Sequence, residues 1–373
     1  LLSKFISFLM VPLYTGVLTT AEYGIADMIH TTVTLLLPFL TLSIIEAAIR
    51  FCLSKDSNKE EIFSSTAFVL IFSVLLLIAI EPIVGGISQT MRDYYGYFWL
   101  IFTTTIIAQM FFKFVKGLEK IHICAVNSIV IVVSLVISNL FFLLVLKTGL
   151  KGYLTSLIVA EFASALYLFV AARLWRYFRI SSINKKLIFE MLRYSVPFVP
   201  NAVAWWVNTA SDRYIIIALC GVAANGLYSV GNKIPAMLSI VTSIFQQAWQ
   251  ISGIKEYDGD EYSKFYSSVY RAYVSIITIG CSVIMTMTPF LASVLFKNDF
   301  FAAWKFTPFL IIGALFSGIS GILAAIFFAA KKNGLLLIST FVGAAVNIAL
   351  NILFIKAIGP IGAAVSTAVS FAL

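Results

Sequence analysis

Apolar residues run along this chain in long uncharged windows, separated by short charged segments. The windows are 5–21, 28–45, 62–80, 94–112, 123–146, 152–160 with 162–172, 194–211, 214–254, 272–296, 306–330, 333–355 and 357–373. Most approach the ~20 apolar residues that an α-helix needs to cross a bilayer. The window 214–254 is interrupted only by Lys233, and the Gly and Asn residues of Gly221–Gly226 divide the spans on either side. The pattern predicts twelve membrane helices and no transmembrane strand, which would show about 10 residues of strict alternation.

The pattern repeats. Asn139-LFFLLVLKTGLKGYLTS is echoed by Asn347-IALNILFIKAIGPIGAAVST, with Gly149, Gly152 and Ser156 each 210 positions ahead of Gly359, Gly362 and Ser366. Tyr23-Gly24-Ile25 is echoed by Asn225-Gly226-Leu227-Tyr228. Two matched places in the same order point to a duplicated bundle. The expected fold is an all-α polytopic membrane protein of two pseudo-symmetric six-helix bundles. An even number of spans per copy relates them by an axis along the membrane normal. Seven prolines fall within spans (Pro12, Pro38, Pro197, Pro200, Pro235, Pro289 and Pro308), and each is expected to bend its helix.

Composition agrees: 61% of residues are hydrophobic, 12% are charged, and 33 are Phe. A water-soluble surface cannot be built from so few polar residues, which excludes a soluble enzyme, a disordered chain and a nucleic-acid binder. Cys52, Cys124, Cys220 and Cys281 lie in or beside apolar runs with no CxxC pair, and read as buried structural thiols. No cleavable signal peptide is visible, and the first and last spans read as cut.

Charge fixes direction. Of 26 Lys and Arg, 16 lie in even-numbered loops and 6 in odd-numbered loops, so the positive-inside rule puts the even loops and the N-terminus in the cytoplasm. The stretch Arg173 to Arg193 carries Ile180, Ile183, Leu187, Ile188 and Met191 at helical spacing around Lys185 and Lys186, as in a basic amphipathic helix on the cytoplasmic leaflet. The domains are then 1–175, an N-terminal six-helix lobe with its first helix truncated; 176–192, a cytoplasmic amphipathic linker; and 193–373, a C-terminal lobe truncated at its end.

Four cations are left inside spans or at their margins: Lys4, Arg50, Arg213 and Lys233. A charge in hydrocarbon costs about 2.5–3.5 kcal/mol on insertion scales and needs a partner or a hydrated cavity. Glu46 and Arg50, four apart, suit an intrahelical pair. Asp212 and Arg213 are adjacent, point about 100° apart, and are expected not to cancel on one helix face. Glu161, in the middle of span 6, is either a proton or ion site or a hydrogen-bonded structural carboxylate. Converging cations suit an anionic ligand such as a diphosphate. Asn201, Asn208, Asn232, Trp205 and Trp206 beside them suit sugar hydroxyls and sugar faces, and equally serve helix packing. His30 and His122 are isolated, and no hydrolase, metalloprotease or nucleotide-binding motif is present. No catalytic residue, metal or cofactor is therefore expected.

The stretch KFISFLMVPLYTGVLTTAEYGIADMI at 4–29, with EAAIRF at 46–51, resembles the opening of the polysaccharide biosynthesis flippases of the Wzx type. YSVPFVPNAVAWWVNTASDRYIIIALCGVAANGLYSVGNKIPAML at 194–238, followed by SIFQQAWQISGIKEYD at 243–258, is similar to the start of that family's second lobe. The resemblance implies the multidrug/oligosaccharidyl-lipid/polysaccharide exporter fold (MATE-like), with two bundles around a central cavity that alternate in access. It implies transport rather than catalysis, in the bacterial cytoplasmic membrane. The implied substrate is an undecaprenyl-diphosphate-linked oligosaccharide bound for capsule, exopolysaccharide or O-antigen. Membrane lipids are expected around the chain, and a polymerase and glycosyltransferases of the same pathway are its expected partners. Essential cations in the family's first, second and seventh spans fall at Lys4, Arg50 and Arg213, with Lys233 in the NKIP motif and Asn208 beside them. Without a nucleotide site, proton or sodium coupling becomes the expectation, with Glu46, Asp212 and Glu161 as candidates. The alternatives are a lipid II flippase, a cation-coupled multidrug exporter of the same fold, and a membrane polysaccharide polymerase. The multidrug reading would favour acidic cavity residues, and the polymerase reading a larger outward loop than Glu81 to Tyr95.

Overall fold

The computed structural model describes residues 6, 8–54, 57–82, 89–255, 262–329 and 333–373. The helices in chain order are α1 (Val11–Val17), α2 (Thr20–Thr41), α3 (Ile44–Cys52), α4 (Lys59–Ala79), α5 (Gln89–Asp93), α6 (Tyr95–Gly117), α7 (Ile121–Asn139), α8 (Gly149–Ala171), α9 (Lys185–Ser195), α10 (Phe198–Cys220), α11 (Val222–Gly231), α12 (Lys233–Lys255), α13 (Tyr262–Leu295), α14 (Thr307–Ala329), α15 (Asn333–Ile358) and α16 (Ile361–Ala372). A π-helical stretch, Leu140–Val145, extends α7. Among the described residues there is no strand.

Eight helical segments among the described residues are long and apolar enough to cross a membrane: those within α2, α4, α6, α7 with its π-helical extension, α8, α13, α14 and α15. The other spans of the twelve-span reading fold as α1, α10, α11 running into α12, and α16. α10 is diluted by Asn201, Asn208, Asp212 and Arg213. Fewer prolines than expected lie inside helices. Of the seven, Pro38 and Pro289 lie inside helices. Pro12, Pro200, Pro235 and Pro308 sit in first turns, and Pro197 lies between α9 and α10. A first-turn N–H has no intrahelical acceptor, so proline costs nothing there.

Contacts divide the chain into two compact units. One joins the described residues up to Gly24 with Ala204–Leu373, and the other is Ile25–Val203. Within the second, α8 packs on α6 and α7, and α3 packs on α6 and α9. Its interior is aromatic: Phe63 meets Phe114 at 4.8 Å and Phe111 at 5.9 Å between ring centres. The stretch 173–195 is helical only over Lys185–Ser195, preceded by 3-10 turns at Leu174–Arg176 and Ile180–Ser182. It is tied to α4, since the Arg179 N–H donates to Ser64 Oγ at 2.9 Å and the Asn184 N–H to Ser65 Oγ at 3.2 Å.

In the unit containing Ala204–Leu373, Ile216, Tyr228, Phe306, Leu310 and Ile355 form one buried cluster. Trp249, Tyr273, Ile277, Ile311 and Ile322 form another. Lipid supplies no hydrophobic drive between membrane helices, so small residues and buried hydrogen bonds join them. Gly24 and Gly226, the repeat-related glycines, cross directly: a Cβ on Gly24 would lie 2.1 Å from Val222 O, and one on Gly226 1.9 Å from Thr20 O. Asn225 Nδ2 adds a 3.2 Å bond to Gly24 O. The other repeated pair also keeps its geometry. Gly149 (φ 56°) and Gly359 (φ 73°) both turn the chain in the left-handed region that favours glycine.

Candidate functional site

The second predicted span is not one helix. After Thr41, Leu42 (φ 50°) and Ser43 (φ 54°) both enter the left-handed region, and α3 begins afresh at Ile44. Neither is a glycine, so the break costs roughly 1–3 kcal/mol per residue, a cost that persists only where surrounding structure imposes it. Two hydroxyls impose it. Ser73 Oγ donates to Leu40 O at 2.7 Å, and Ser195 Oγ donates to Leu42 O at 2.8 Å. Carbonyls freed inside hydrocarbon must be satisfied in this way.

Beyond the break, α3 buries Ile44, Ile45, Ala47 and Ala48 and exposes Glu46 and Arg50 on its other face. The spacing pairs these two with each other, but the structure does not. Lys113 of α6 donates to both carboxylate oxygens of Glu46, at 2.9 and 3.0 Å. Arg50 instead reaches Ser54 Oγ at 3.4 Å. Lys113 sits in α6 itself, so one cation that counted toward orientation has a specific partner. Both side chains of the pair are partly exposed, which limits its worth to about 1 kcal/mol in water.

In the other unit, Asp212 and Arg213 do interact, contrary to the expectation from their helical directions. Arg213 folds back so that Nη1 donates to Thr209 O at 2.9 Å and lies 3.7 Å from Asp212 Oδ1. The Arg213 N–H also donates to Asp212 Oδ1 at 2.9 Å. Tyr228 of α11, fully buried, donates its hydroxyl to Asp212 Oδ2. The carboxylate thus accepts hydrogen bonds from the Arg213 N–H and the Tyr228 hydroxyl, with the guanidinium beside it at ion-pair distance, and that guanidinium is compensated on one side. The side chain of Arg213 is 14% exposed. Tyr228 lies in the string GLYSVGN, where sequence reasoning assigns it no chemical role; a buried carboxylate one helix earlier is the signal that calls for such a hydroxyl.

Asn208 packs helices together: its Nδ2 donates to Ala204 O and, across to α15, to Thr340 O, both at 3.1 Å. Lys233 lies half-buried with Nζ 5.9 Å from the ring centre of Tyr23, a cation–π distance. Tyr23 in turn meets Phe300 edge to face at 5.8 Å. Glu161 sits half-buried on α8 with no hydrogen bond or ion pair among the described residues. Lys4 lies outside the described residues. Asp212, Arg213, Asn208 and Lys233 therefore share one unit, and Glu46, Arg50 and Glu161 the other. The cysteines are unpaired, with Cys52, Cys124 and Cys281 buried. No cluster of metal-ligating side chains occurs among the described residues.

Solved structures share this fold along nearly the whole chain. An inward-facing multidrug resistance MATE family transporter of the MOP superfamily superposes with a TM-score of 0.76 at 11% identity, covering 99% of this chain and 94% of its own. The lipid II flippase MurJ, in an inward closed conformation, gives 0.76 at 13% identity, covering 99% and 83%. A MOP superfamily transporter from Pyrococcus furiosus, described as having a binding pocket of reversed polarity, gives 0.64 at 14% identity, covering 99% and 90%. No curated protein matches in sequence. Residues 1–250, two thirds of the chain, match the family described as polysaccharide biosynthesis protein, and the chain belongs to that family.

Proposed function

We propose that the protein is a flippase of the bacterial cytoplasmic membrane. It moves undecaprenyl-diphosphate-linked oligosaccharide from the cytoplasmic to the outer leaflet by alternating access, for surface polysaccharide. The observation that supports this most is the presence, in a polysaccharide biosynthesis family member, of cations on helices of predicted spans: Arg50 in one unit, Arg213 and Lys233 in the other. A diphosphate head cannot enter hydrocarbon unaided, and guanidinium groups replace its hydration by charge-assisted, bidentate hydrogen bonds. The prenyl tail needs no such help and stays in lipid. Arg213 is the best-prepared ligand, because its anchoring to Thr209 O and Asp212 fixes the guanidinium before substrate arrives. Sugar contacts fall to Asn201, Trp205 and Trp206, since Asn208 is engaged in helix packing.

Transport is coupled to a proton or sodium gradient in this proposal. Glu46 and Asp212 already have cationic or hydroxyl partners, which makes Glu161 the freer carrier. Complementation of a flippase-deficient strain tests the binding step. Arg213→Ala at normal protein level abolishes surface polysaccharide, and Arg213→Lys restores part of it. Full polysaccharide in Arg213→Ala removes this residue from the mechanism. Transport in proteoliposomes that ignores both imposed gradients removes the coupling. Lipid II is the competing cargo, because MurJ shares the fold; rescue of a strain depleted of its lipid II flippase would favour it.

A further inference from the structure

We infer that the unit Ile25–Val203 holds a site for one anionic glycerophospholipid of the cytoplasmic leaflet, separate from the residues of the proposed transport path. A cavity of about 430 Å³ lies between α4, α6 and the end of α8. Phe63, Ala67 and Leu75 line it from α4, Phe111 from α6, and Trp175 and Phe178 from the loop after α8. Its wall is a continuous aromatic run: Phe63, Phe111, Phe169 and Trp175 succeed one another at ring-centre distances of 5.9, 5.9 and 5.6 Å.

Length selects the occupant. From Phe63 to Leu75 the lining of α4 extends about 18 Å at ~1.5 Å per residue, close to the ~15 Å hydrocarbon depth of one leaflet. An acyl chain fills that depth, whereas a polyprenyl chain is several times longer. Charge selects the head group. The groove ends at Trp175 and Phe178, which alternate with the exposed Arg173, Arg176 and Arg179. Arg179 spends part of its charge on Glu60 at 3.2 Å; Arg173 and Arg176 have no ion pair among the described residues. Arginine binds phosphate bidentately, and basic clusters at the cytoplasmic face attract anionic lipid.

The mouth is built rather than loose. Leu174 is fully buried, Arg173 holds a left-handed φ of 55°, and Tyr177 packs on Phe114 at 5.3 Å. Ser64 fixes the loop from both sides, accepting from the Arg179 N–H and donating to Tyr177 O at 3.2 Å. Yet Trp175 and Phe178 remain 48% and 42% exposed. Ordinary interfacial anchoring accounts for exposed aromatics, but not for a preformed groove leading inward from them.

Native mass spectrometry and titration of the full chain in nanodiscs test this with phosphatidylglycerol and phosphatidylcholine as the probes. The wild type is expected to keep one phosphatidylglycerol per chain and to prefer it over phosphatidylcholine by about tenfold. Ala67→Trp, which fills the groove, loses the retained lipid; if that variant fails to fold, Val74→Phe narrows the same groove more gently. Arg173→Ala with Arg176→Ala keeps a bound lipid but loses the preference. Phe72→Trp, exposed on the same helix, changes nothing. Equal binding of the two phospholipids by the wild type, unchanged retention in both groove variants, or retention of a polyprenyl-linked lipid instead overturns the inference. Surface polysaccharide is scored separately, so failure here leaves the transport proposal standing.

Discussion

Adding one methyl group at Gly226 should destabilise the protein, whereas adding one at Gly16 should not. At Gly226 the new Cβ would lie 1.9 Å from Thr20 O, 2.9 Å from Thr20 C and 3.1 Å from Gly24 N. All three are backbone atoms, so no side chain can swing aside, and α2 and α11 must part by more than 1 Å to reach ordinary contact at roughly 3.4 Å. Overpacking of this kind costs about 1–3 kcal/mol. Parting the helices also stretches the Asn225 bond to Gly24 O beyond hydrogen-bonding range, worth about 1 kcal/mol more. Gly226→Ala should therefore lose about 2–4 kcal/mol in total. Gly16 is also helical, but no heavy atom lies within 4 Å of a Cβ built there. Gly16→Ala should be neutral or gain about 0.5–1 kcal/mol from reduced chain entropy. The assay is the temperature at which half the detergent-solubilised protein leaves the monodisperse peak on size-exclusion chromatography. The expected order is Gly16→Ala at or above wild type, with Gly226→Ala well below both. Gly24→Ala should fall with Gly226→Ala, and the double variant should lose less than the sum, because both disturb one crossing. A Gly226→Ala protein that melts with the wild type would refute the crossing itself.

Ser195→Ala should lower the same melting temperature by the equivalent of about 0.5–1.5 kcal/mol, since it removes the part-buried hydrogen bond to Leu42 O; Ser195→Thr, which keeps the hydroxyl, should recover most of that loss. Tyr228→Phe should cost about 1.5–3 kcal/mol, because the lost hydroxyl serves a charged acceptor, and pairing it with Asp212→Asn should recover part of the loss in a double-mutant cycle. Lys113→Ala should cost at most about 1 kcal/mol of stability, as expected of a part-exposed pair; a loss comparable to that of Tyr228→Phe would show that Glu46 sits in a drier place than its exposure indicates.

Much of the fold follows from the order of residues. Uncharged runs of membrane length locate the helices, and the glycines at 149 and 359 announce turns that both adopt a left-handed φ. The charged sites are another matter. Spacing arguments see one helix at a time: they offer Glu46 the residue at i+4, while the actual donor, Lys113, is 67 positions away on another helix. Direction arguments treat side chains as vectors from Cβ, which separates Asp212 from Arg213. Arginine is long enough to bend back over its own helix, and the two meet at 3.7 Å. Prolines mislead for a similar reason, because their effect depends on distance from a helix start that hydropathy does not mark. The break at Leu42 and Ser43 carries no glycine and no local signal; it rests on hydroxyls from Ser73 and Ser195, far along the chain.

That break has an electrostatic consequence. A helix that begins anew at the end of a span brings its own partial positive pole to a point where a continuous helix would have none. Glu46 lies in the first turn of α3 and Arg50 in its last turn. Each charge thus faces the helix pole of opposite sign, a placement typically worth about 0.3–1 kcal/mol per residue. The two need not touch each other to be tolerated there, which leaves the guanidinium of Arg50 available to an anion while Glu46 holds Lys113.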